Sequence, residues 1–333
     1  MKAIYFESFG GRDVLKYGDM PEPQPRAGEL LIVIERSSIN YVDIRERQGT
    51  YNRAETHVGG IDLPHVSGLQ AVGKVVAAGS DDDRSWIGKK VVAYTPQGGA
   101  YAQFVVADTN LCIEIPDSDA DLYAALPTQG LTAYLTLTAS TQVRPGDSIL
   151  VQGASGGVGS LAVQIAKILG AGLVLGTAST QEKLTFILGL GADEAIDYTR
   201  EDWTQLVLQR TGGRGVDIVL ESIGGDIFEK NFECLATFGR YVLYGSTRGP
   251  GQPIAPRRLM QKCQSLTGFY VPVFLQRPDL IHAGLQFLVK ATAEGNLRPS
   301  IARTLPLRET AEGHRLLEER EVFGTITLDP TAP

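Results

Sequence analysis

Cysteine, methionine and tryptophan are scarce, with three, three and two residues in a chain of 333. Cys112, Cys234 and Cys263 lie far apart and include no Cys-x-x-Cys pair, which removes a disulfide framework and leaves three reduced core thiols as the expectation. Long apolar runs are missing too. The longest aliphatic stretch, Leu30 to Ile34, falls far short of the roughly 20 residues that a membrane helix needs. The N-terminus offers only Ile4, Tyr5 and Phe6 between Lys2 and Glu7, too little for a signal-peptide core, so a cytoplasmic protein is expected. Positive charge is the minority: 31 Lys and Arg face 38 Asp and Glu, a net charge of −7 that repels a phosphate backbone and argues against nucleic acid as partner.

Glycine is in excess, 38 residues, about half again its usual share, and implies many tight turns. From Met1 to about Ile115 short β-type runs alternate with turn residues: Ala3 to Phe6, Leu30 to Glu35, Gly73 to Ala77, Val91 to Tyr94 and Tyr101 to Val106. This half reads as an all-β barrel or sandwich, with Pro21 to Pro25 as an exposed connection because proline lacks the ladder donor. From about Leu122 strand and helix signals alternate, with strands at Ser148 to Gln152, Leu173 to Thr177, Ala195 to Tyr198, Val216 to Glu221 and Tyr241 to Gly245. Such alternation argues a parallel, doubly wound sheet. Beyond Phe269 the pattern gives helices near Asp279 to Ala293 and Thr310 to Glu319 and a last strand at Gly324 to Leu328. This tail is expected to return to the first domain.

The densest motif is Ser148-Ile-Leu-Val-Gln-Gly-Ala-Ser-Gly-Gly-Val-Gly159, an apolar strand entering a glycine turn that opens into a helix. There Gly156 lets the backbone approach a pyrophosphate, Gly159 lets helix pack on strand, and the helix N-terminus offers N–H groups and a positive dipole end. Ala154 stands where the usual fingerprint has its first glycine. The same residues also satisfy a G-x-S-x-G nucleophile elbow, which would make the protein an α/β-hydrolase with Ser155 as nucleophile and His282 or His314 as base. That alternative leaves Gly159 unexplained and lacks a His-Gly-Gly oxyanion segment.

An NAD-binding unit places an acidic residue about 20 positions past the turn to accept the ribose 2'-hydroxyl. No acid stands at the end of this second strand, where Ser179, Lys183 and, further on, Tyr198 instead compose a pocket for a 2'-phosphate. The cofactor expected is NADPH.

Six stretches bear on the family: Ser38-Ile-Asn-Tyr-Val-Asp43, Gly49-Thr-Tyr51, Leu126-Pro-Thr-Gln-Gly-Leu-Thr-Ala-Tyr134, the Gly153 to Gly159 turn, Gly212-Gly-Arg-Gly-Val-Asp217 and Gly324-Thr-Ile-Thr-Leu328. Through them the chain resembles the medium-chain dehydrogenase/reductase superfamily, in its zinc-independent quinone oxidoreductase branch, to which zeta-crystallin belongs. The resemblance implies a GroES-like β-barrel catalytic domain over residues 1–123, completed by 271–333, and a Rossmann domain over 124–270, with the active site in the cleft. It implies Asn40 beside the nicotinamide ribose, Thr128 at the nicotinamide, and Ser155, Gly156, Gly157 and Val158 as the pyrophosphate clasp. It gives Ser179, Lys183 and Tyr198 the 2'-phosphate, further cofactor contacts to Ser222, Gly245, Phe269, Val271 and Thr325, and a substrate-pocket place to Tyr51.

Zinc-dependent members carry a Cys where Asn40 stands and Gly-His-Glu where Gly68-Leu69-Gln70 stands, so no metal is expected; His65 reads as a satisfied or exposed histidine. Asp43 and Arg45 complete the catalytic candidates. Asp43 is four residues from Arg47, a spacing that suits an ion pair on one helix face, and Arg45 is a candidate for an anionic substrate group. The function implied is an NADPH-dependent reductase of quinones or α,β-unsaturated carbonyls, a homodimer by family analogy. An enoyl thioester reductase, with Arg45, Arg47 and Arg53 meeting phosphates, and a non-catalytic NADPH-binding protein are the alternatives.

Overall fold

A computed structural model describes residues 1–51 and 60–332, and the chain divides into two compact units, Met1–Leu131 with Val271–Pro333, and Thr132–Tyr270.

The first unit is built on antiparallel strands, except that Ile301–Pro306 pairs in parallel with Thr325–Asp329. Its main sheet runs in the order Ile301–Pro306, Thr325–Asp329, Glu29–Ile39, Gln70–Ala78, Lys90–Tyr94, Cys112–Glu114, with Phe104–Asp108 also paired to Glu29–Ile39. Glu29–Ile39 is the spine: Leu30, Ile32 and Ile34 alternate onto one face and pack with Val75, Val91 and Val105, as a period of two requires. The far end of that strand receives the C-terminal tail, in the register Ile326↔Ile39, Thr327↔Ser38 and Leu328↔Ser37. A second apolar cluster, including Ile39, Tyr101, Leu316 and Ile326, fixes the Thr310–Glu318 helix beside that junction. The expected strand at Tyr101 begins only at Phe104. Tyr101 is instead fully buried and its carbonyl accepts the Ile4 amide, which ties it to the N-terminal strand Lys2–Phe6.

The second unit holds six parallel strands in the order Glu194–Asp197, Leu173–Ala178, Ser148–Val151, Val216–Glu221, Leu235–Leu243, Ser265–Gly268. It is a Rossmann-like sheet. Every residue of Ser148–Val151 is buried, the unbroken run that a sheet covered on both faces demands. The strand expected at Tyr241 to Gly245 starts earlier, at Leu235, and a sixth strand that periodicity did not show follows. The polar Thr237 to Arg240 segment, with Phe238 in the left-handed region at φ 61°, masks the apolar run there. The chain leaves Ser148–Val151 for the strands on one side and returns at Val216–Glu221 on the other. That change of direction is the topological switch point, where ligands settle beyond the carboxyl ends of the strands.

Among the described residues, no helix is long and apolar enough to cross a membrane. All three cysteines are free, but Cys263 is exposed, against the expectation of three core thiols.

Candidate functional site

The switch point of the second unit carries the glycine turn. Gly153 adopts φ 63°, the Gly156 amide donates back to the Gly153 carbonyl at 3.0 Å, and the helix Gly157–Ile168 starts with Gly156 as N-cap and no side-chain cap. The first helical N–H groups, those of Gly157 and Val158, thus have no side chain competing for them, next to Ser155 and Gly156 in the turn, an anion site by dipole and donor geometry. Gly159 is held by contact: a Cβ there would lie 2.5 Å from the Gly153 oxygen and 2.7 Å from the Ala154 Cα.

Ser179 and Tyr198 follow the carboxyl ends of two neighbouring strands, in register at Ala178↔Asp197, and Lys183 lies in the first turn of the helix Gln181–Gly189 after the first of them. Thr180 caps the next helix by accepting the Lys183 amide at 3.4 Å, and the Tyr198 amide donates to the Ala178 carbonyl at 3.1 Å. Sequence reasoning missed Arg248, whose guanidinium stands 5.2 Å over the Tyr198 ring. Its only signal was a lone cation in the Gly245 to Gly249 loop. The turn and this loop meet across Ser222 and Gly245: a Cβ on Gly245 would touch the Ser222 Cβ at 3.1 Å. Phe269 closes on the same strand ends, its amide donating to the Leu243 carbonyl.

In the first unit Asn40 precedes the helix Tyr41–Arg47 and sits at the centre of a carboxamide cluster. Its Oδ1 accepts from Gln129 Nε2 at 3.2 Å and from Gln70 Nε2 at 3.4 Å. Gln70 also donates to the Ser38 hydroxyl and accepts the Thr128 amide at 2.6 Å. Gln129 accepts the Thr325 hydroxyl at 2.6 Å. Asn40, Thr128 and Thr325, far apart in sequence, are therefore drawn together by two glutamines that sequence reasoning did not count as site residues. Thr128 lies in a π-helical turn, Leu126–Gly130, whose irregular winding turns its amide toward Gln70. Val271 begins the short helix Val271–Gln276 and is buried.

Asp43 is completely buried, and its Oδ2 accepts the Asn40 backbone amide at 2.8 Å, the Asn40 side-chain amide at 3.3 Å and the Tyr101 hydroxyl at 2.6 Å. Burial, reinforced by the nearby Glu46 charge, pushes its carboxyl up to about 7. The expected Asp43–Arg47 pair does not form. Arg47 turns to the other side, bonding Glu318, the Gly10 carbonyl and His314 Nδ1 at 3.0 Å, because the Thr310–Glu318 helix offers it a half-buried carboxylate. Asp43 thereby becomes the group that orients Asn40. Arg45 donates to the Thr50 carbonyl at 3.4 Å, and Tyr51, half-buried, is the last residue before the undescribed stretch that contains Arg53.

Both histidines of the elbow alternative have partners of their own. His314 is buried against Arg47, and His282 is bonded to Gln286. His65 differs from its expectation too: it is buried, its Nε2 has no hydrogen-bond partner among the described residues, and the Glu46 carboxylate lies 3.9 Å away.

Residues 157–288 match a family model described as zinc-binding dehydrogenase, and residues 26–117 match the alcohol dehydrogenase GroES-like domain. A 2-haloacrylate reductase from a Burkholderia species is 32% identical, covering 97% of both chains. The chain belongs to the medium-chain dehydrogenase/reductase superfamily, in its quinone oxidoreductase branch. A quinone oxidoreductase from Pseudomonas aeruginosa is 31% identical over 99% of both chains. The Escherichia coli quinone oxidoreductase, solved in complex with NADPH, superposes with a TM-score of 0.89 at 28% identity, covering 99% of this chain and 100% of that one. This member of the branch is an oxidoreductase, not a hydrolase.

Zinc is implied by one of the matching models and does not fit here. A zinc ion takes thiolate, imidazole and carboxylate donors in a tetrahedron. The cluster around Asn40 is made of carboxamides already bonded to one another, and among the described residues no three His, Cys, Asp or Glu side chains converge. The turn at Gly153 to Gly159 does fit a dinucleotide, because the space left by its missing side chains opens onto uncapped helix amides.

Proposed function

We propose that the protein is an NADPH-dependent, zinc-independent reductase of quinones and α,β-unsaturated carbonyls. The observation that carries this reading is the Asn40 cluster: where zinc-dependent members hold a metal-binding thiolate, Asn40 presents a carboxamide whose oxygen is saturated by Gln70 and Gln129. Bound NADPH would supply the hydride. Ser155 to Val158 hold the pyrophosphate through backbone amides, and Lys183, Ser179 and Tyr198 hold the 2'-phosphate. Asn40, fixed by Asp43, positions the nicotinamide ribose together with Thr128, while Ser222, Gly245, Phe269, Val271 and Thr325 line the rest of the cofactor. Without a metal to polarise an alcohol, the favoured direction is reduction of an electron-poor carbon. Tyr51 would supply a hydrogen bond to the carbonyl oxygen, where charge grows during reduction of the β-carbon, and its proton or a water proton would then complete the α-carbon.

A relative named as a 2-haloacrylate reductase supports this substrate class, since a haloacrylate is also an activated alkene. Its acid group makes Arg45 the residue to watch for an anionic substrate. The domain roles follow the same reading, with the catalytic domain over residues 1–123 and 271–333 and the nucleotide domain over 124–270. A homodimer is part of it, and sedimentation as a monomer at micromolar concentration would remove that part. The central test is a panel of small quinones, enones and enoyl thioesters, each assayed with NADPH and NADH on protein stripped of metal by chelation. Quinones and enones should be turned over with NADPH at an undiminished rate. Activity lost on chelation and restored by zinc would overturn the reading.

A further inference from the structure

Beneath the glycine turn lies a polar chain that cofactor contact does not explain. Glu221, Asn231, Gln152 and Thr177 are each completely buried, from the ends of three strands and the residue after the helix Gly225–Lys230. Glu221 Oε1 accepts the amides of Ile223 at 2.5 Å and Gly224 at 2.7 Å, and its Oε2 accepts from Asn231 Nδ2 at 2.6 Å. Asn231 Oδ1 accepts from Gln152 Nε2 at 2.7 Å, and Gln152 Oε1 accepts the Thr177 hydroxyl at 2.5 Å. Thr177 Oγ1 in turn accepts the amide of Gly153 at 3.3 Å.

The sequence of donors runs one way. An ionised carboxylate only accepts, so Asn231 must turn its NH2 to Glu221 and its oxygen to Gln152. Gln152 must then present its oxygen to Thr177, whose proton is committed there and whose lone pair is left for Gly153. The carboxylate at one end therefore dictates the hydrogen bond that holds the first glycine of the turn at the other. It also holds the Ile223 and Gly224 amides directly, on the Val216–Glu221 side of the switch point. Burying four such groups is tolerable only because each is satisfied.

We propose that Glu221 is a positioning residue for the dinucleotide, acting through Asn231, Gln152 and Thr177 to fix the Gly153 turn and the Ser222 to Gly224 loop. The proposal rests on the NADPH reading above. Burial pushes the Glu221 carboxyl up to about 7, and the three N–H donors around it favour its ionised form above that pH. Of the titratable groups packed around it, Tyr244 and Cys234 are pushed up to about 12 and Tyr241 is raised as well, so all three stay neutral at pH 8.

The test is direct titration of the metal-free protein with NADPH and with NADH at pH 8, by nicotinamide fluorescence, with thermal unfolding of each variant alongside. Glu221→Gln should raise Kd for both nucleotides by roughly ten-fold or more, because a carboxamide turns an NH2 onto the Asn231 NH2 and the chain loses its direction. The double variant Glu221→Gln/Asn231→Asp moves the charge one link along. The carboxylate now at position 231 accepts both from the new carboxamide at position 221 and from Gln152, the order downstream is restored, and Kd should return to within about three-fold of wild type. Thr177→Val, of the same shape, should weaken both nucleotides several-fold, and it decides the matter if Glu221→Gln does not fold. Wild-type affinity in Glu221→Gln or Thr177→Val overturns the proposal, as does a double variant that regains thermal stability without regaining affinity. Wild-type protein that binds neither nucleotide overturns the NADPH reading itself and the proposal with it.

Discussion

Replacing Gly159 by alanine probes the contact on which the nucleotide turn depends. The added Cβ would stand 2.5 Å from the Gly153 oxygen, 2.7 Å from the Ala154 Cα and 3.0 Å from the Gly153 carbon, where ordinary contact begins at 3.4 Å. All three atoms are backbone, so no side chain can swing away. The helix Gly157–Ile168 must back off from its own turn by about 1 Å, a strain that in well-packed interiors costs about 1–3 kcal/mol. The same displacement carries the Gly157 and Val158 amides away from the proposed pyrophosphate position and breaks the geometry in which Gly156 donates to Gly153. NADPH affinity should therefore fall by more than about ten-fold, beyond the loss of stability, when both are read on one sample by fluorescence titration and calorimetry. Gly189→Ala is the control. It ends the helix Gln181–Gly189, has nothing within 4 Å of its Cβ, and should leave affinity unchanged while stabilising slightly. Unchanged NADPH affinity in Gly159→Ala would refute the packing argument.

Lys183→Ala should weaken NADPH by roughly 10- to 150-fold and leave NADH nearly untouched, as expected for one charge-assisted bond to a phosphate; equal loss of both would remove Lys183 from the 2'-phosphate pocket. Asn40→Ala should lower turnover with every acceptor, whereas Tyr51→Phe should slow enones more than quinones, and equal effects on both acceptor classes would strike Tyr51 from the catalytic residues. Stability should also carry an unusual pH slope. Asp43 and Glu221 are both pushed up to about 7, so from about pH 4 to 7 the unfolded chain binds fewer protons and stability falls as pH rises, while His314, pushed down to about 3, opposes them below about 6.5. Two carboxyls outweigh one imidazole, so wild-type unfolding free energy should decline between about pH 5 and 6, and Asp43→Asn should flatten that decline; an unchanged slope would mean that Asp43 is ionised in the native protein throughout.

What the residues alone disclosed follows the physics of each signal. The Ser148–Val151 strand and its glycine turn were legible because an apolar run, a turn and a helical period sit side by side in the chain. The short strands Lys16–Asp19 and Cys112–Glu114 were not, since neither carries enough alternation to rise above loop composition. Asn40 was legible through its motif, but Gln70 and Gln129 owe their importance to partners far away in sequence, and nothing local marks a glutamine that will find an asparagine across a core. Arg47 shows the same limit in reverse. Local spacing offered it Asp43, and a carboxylate 271 residues away took its place.

The first unit is closed by its own tail: Thr325–Asp329 pairs with the Ser37 to Ile39 end of Glu29–Ile39, and the Thr325 hydroxyl reaches Gln129 and, through it, Asn40. On a ribosome, then, the Asn40 cluster is the last thing to be finished. A nascent chain can complete the Rossmann-like unit while the N-terminal strands still expose an open edge and an apolar face, held in wait for residues not yet made. Such waiting is the situation in which unpaired strands invite wrong partners. Truncation just before Thr325 should accordingly leave the Rossmann-like sheet whole and deprive Gln129, and through it Asn40, of the Thr325 hydroxyl.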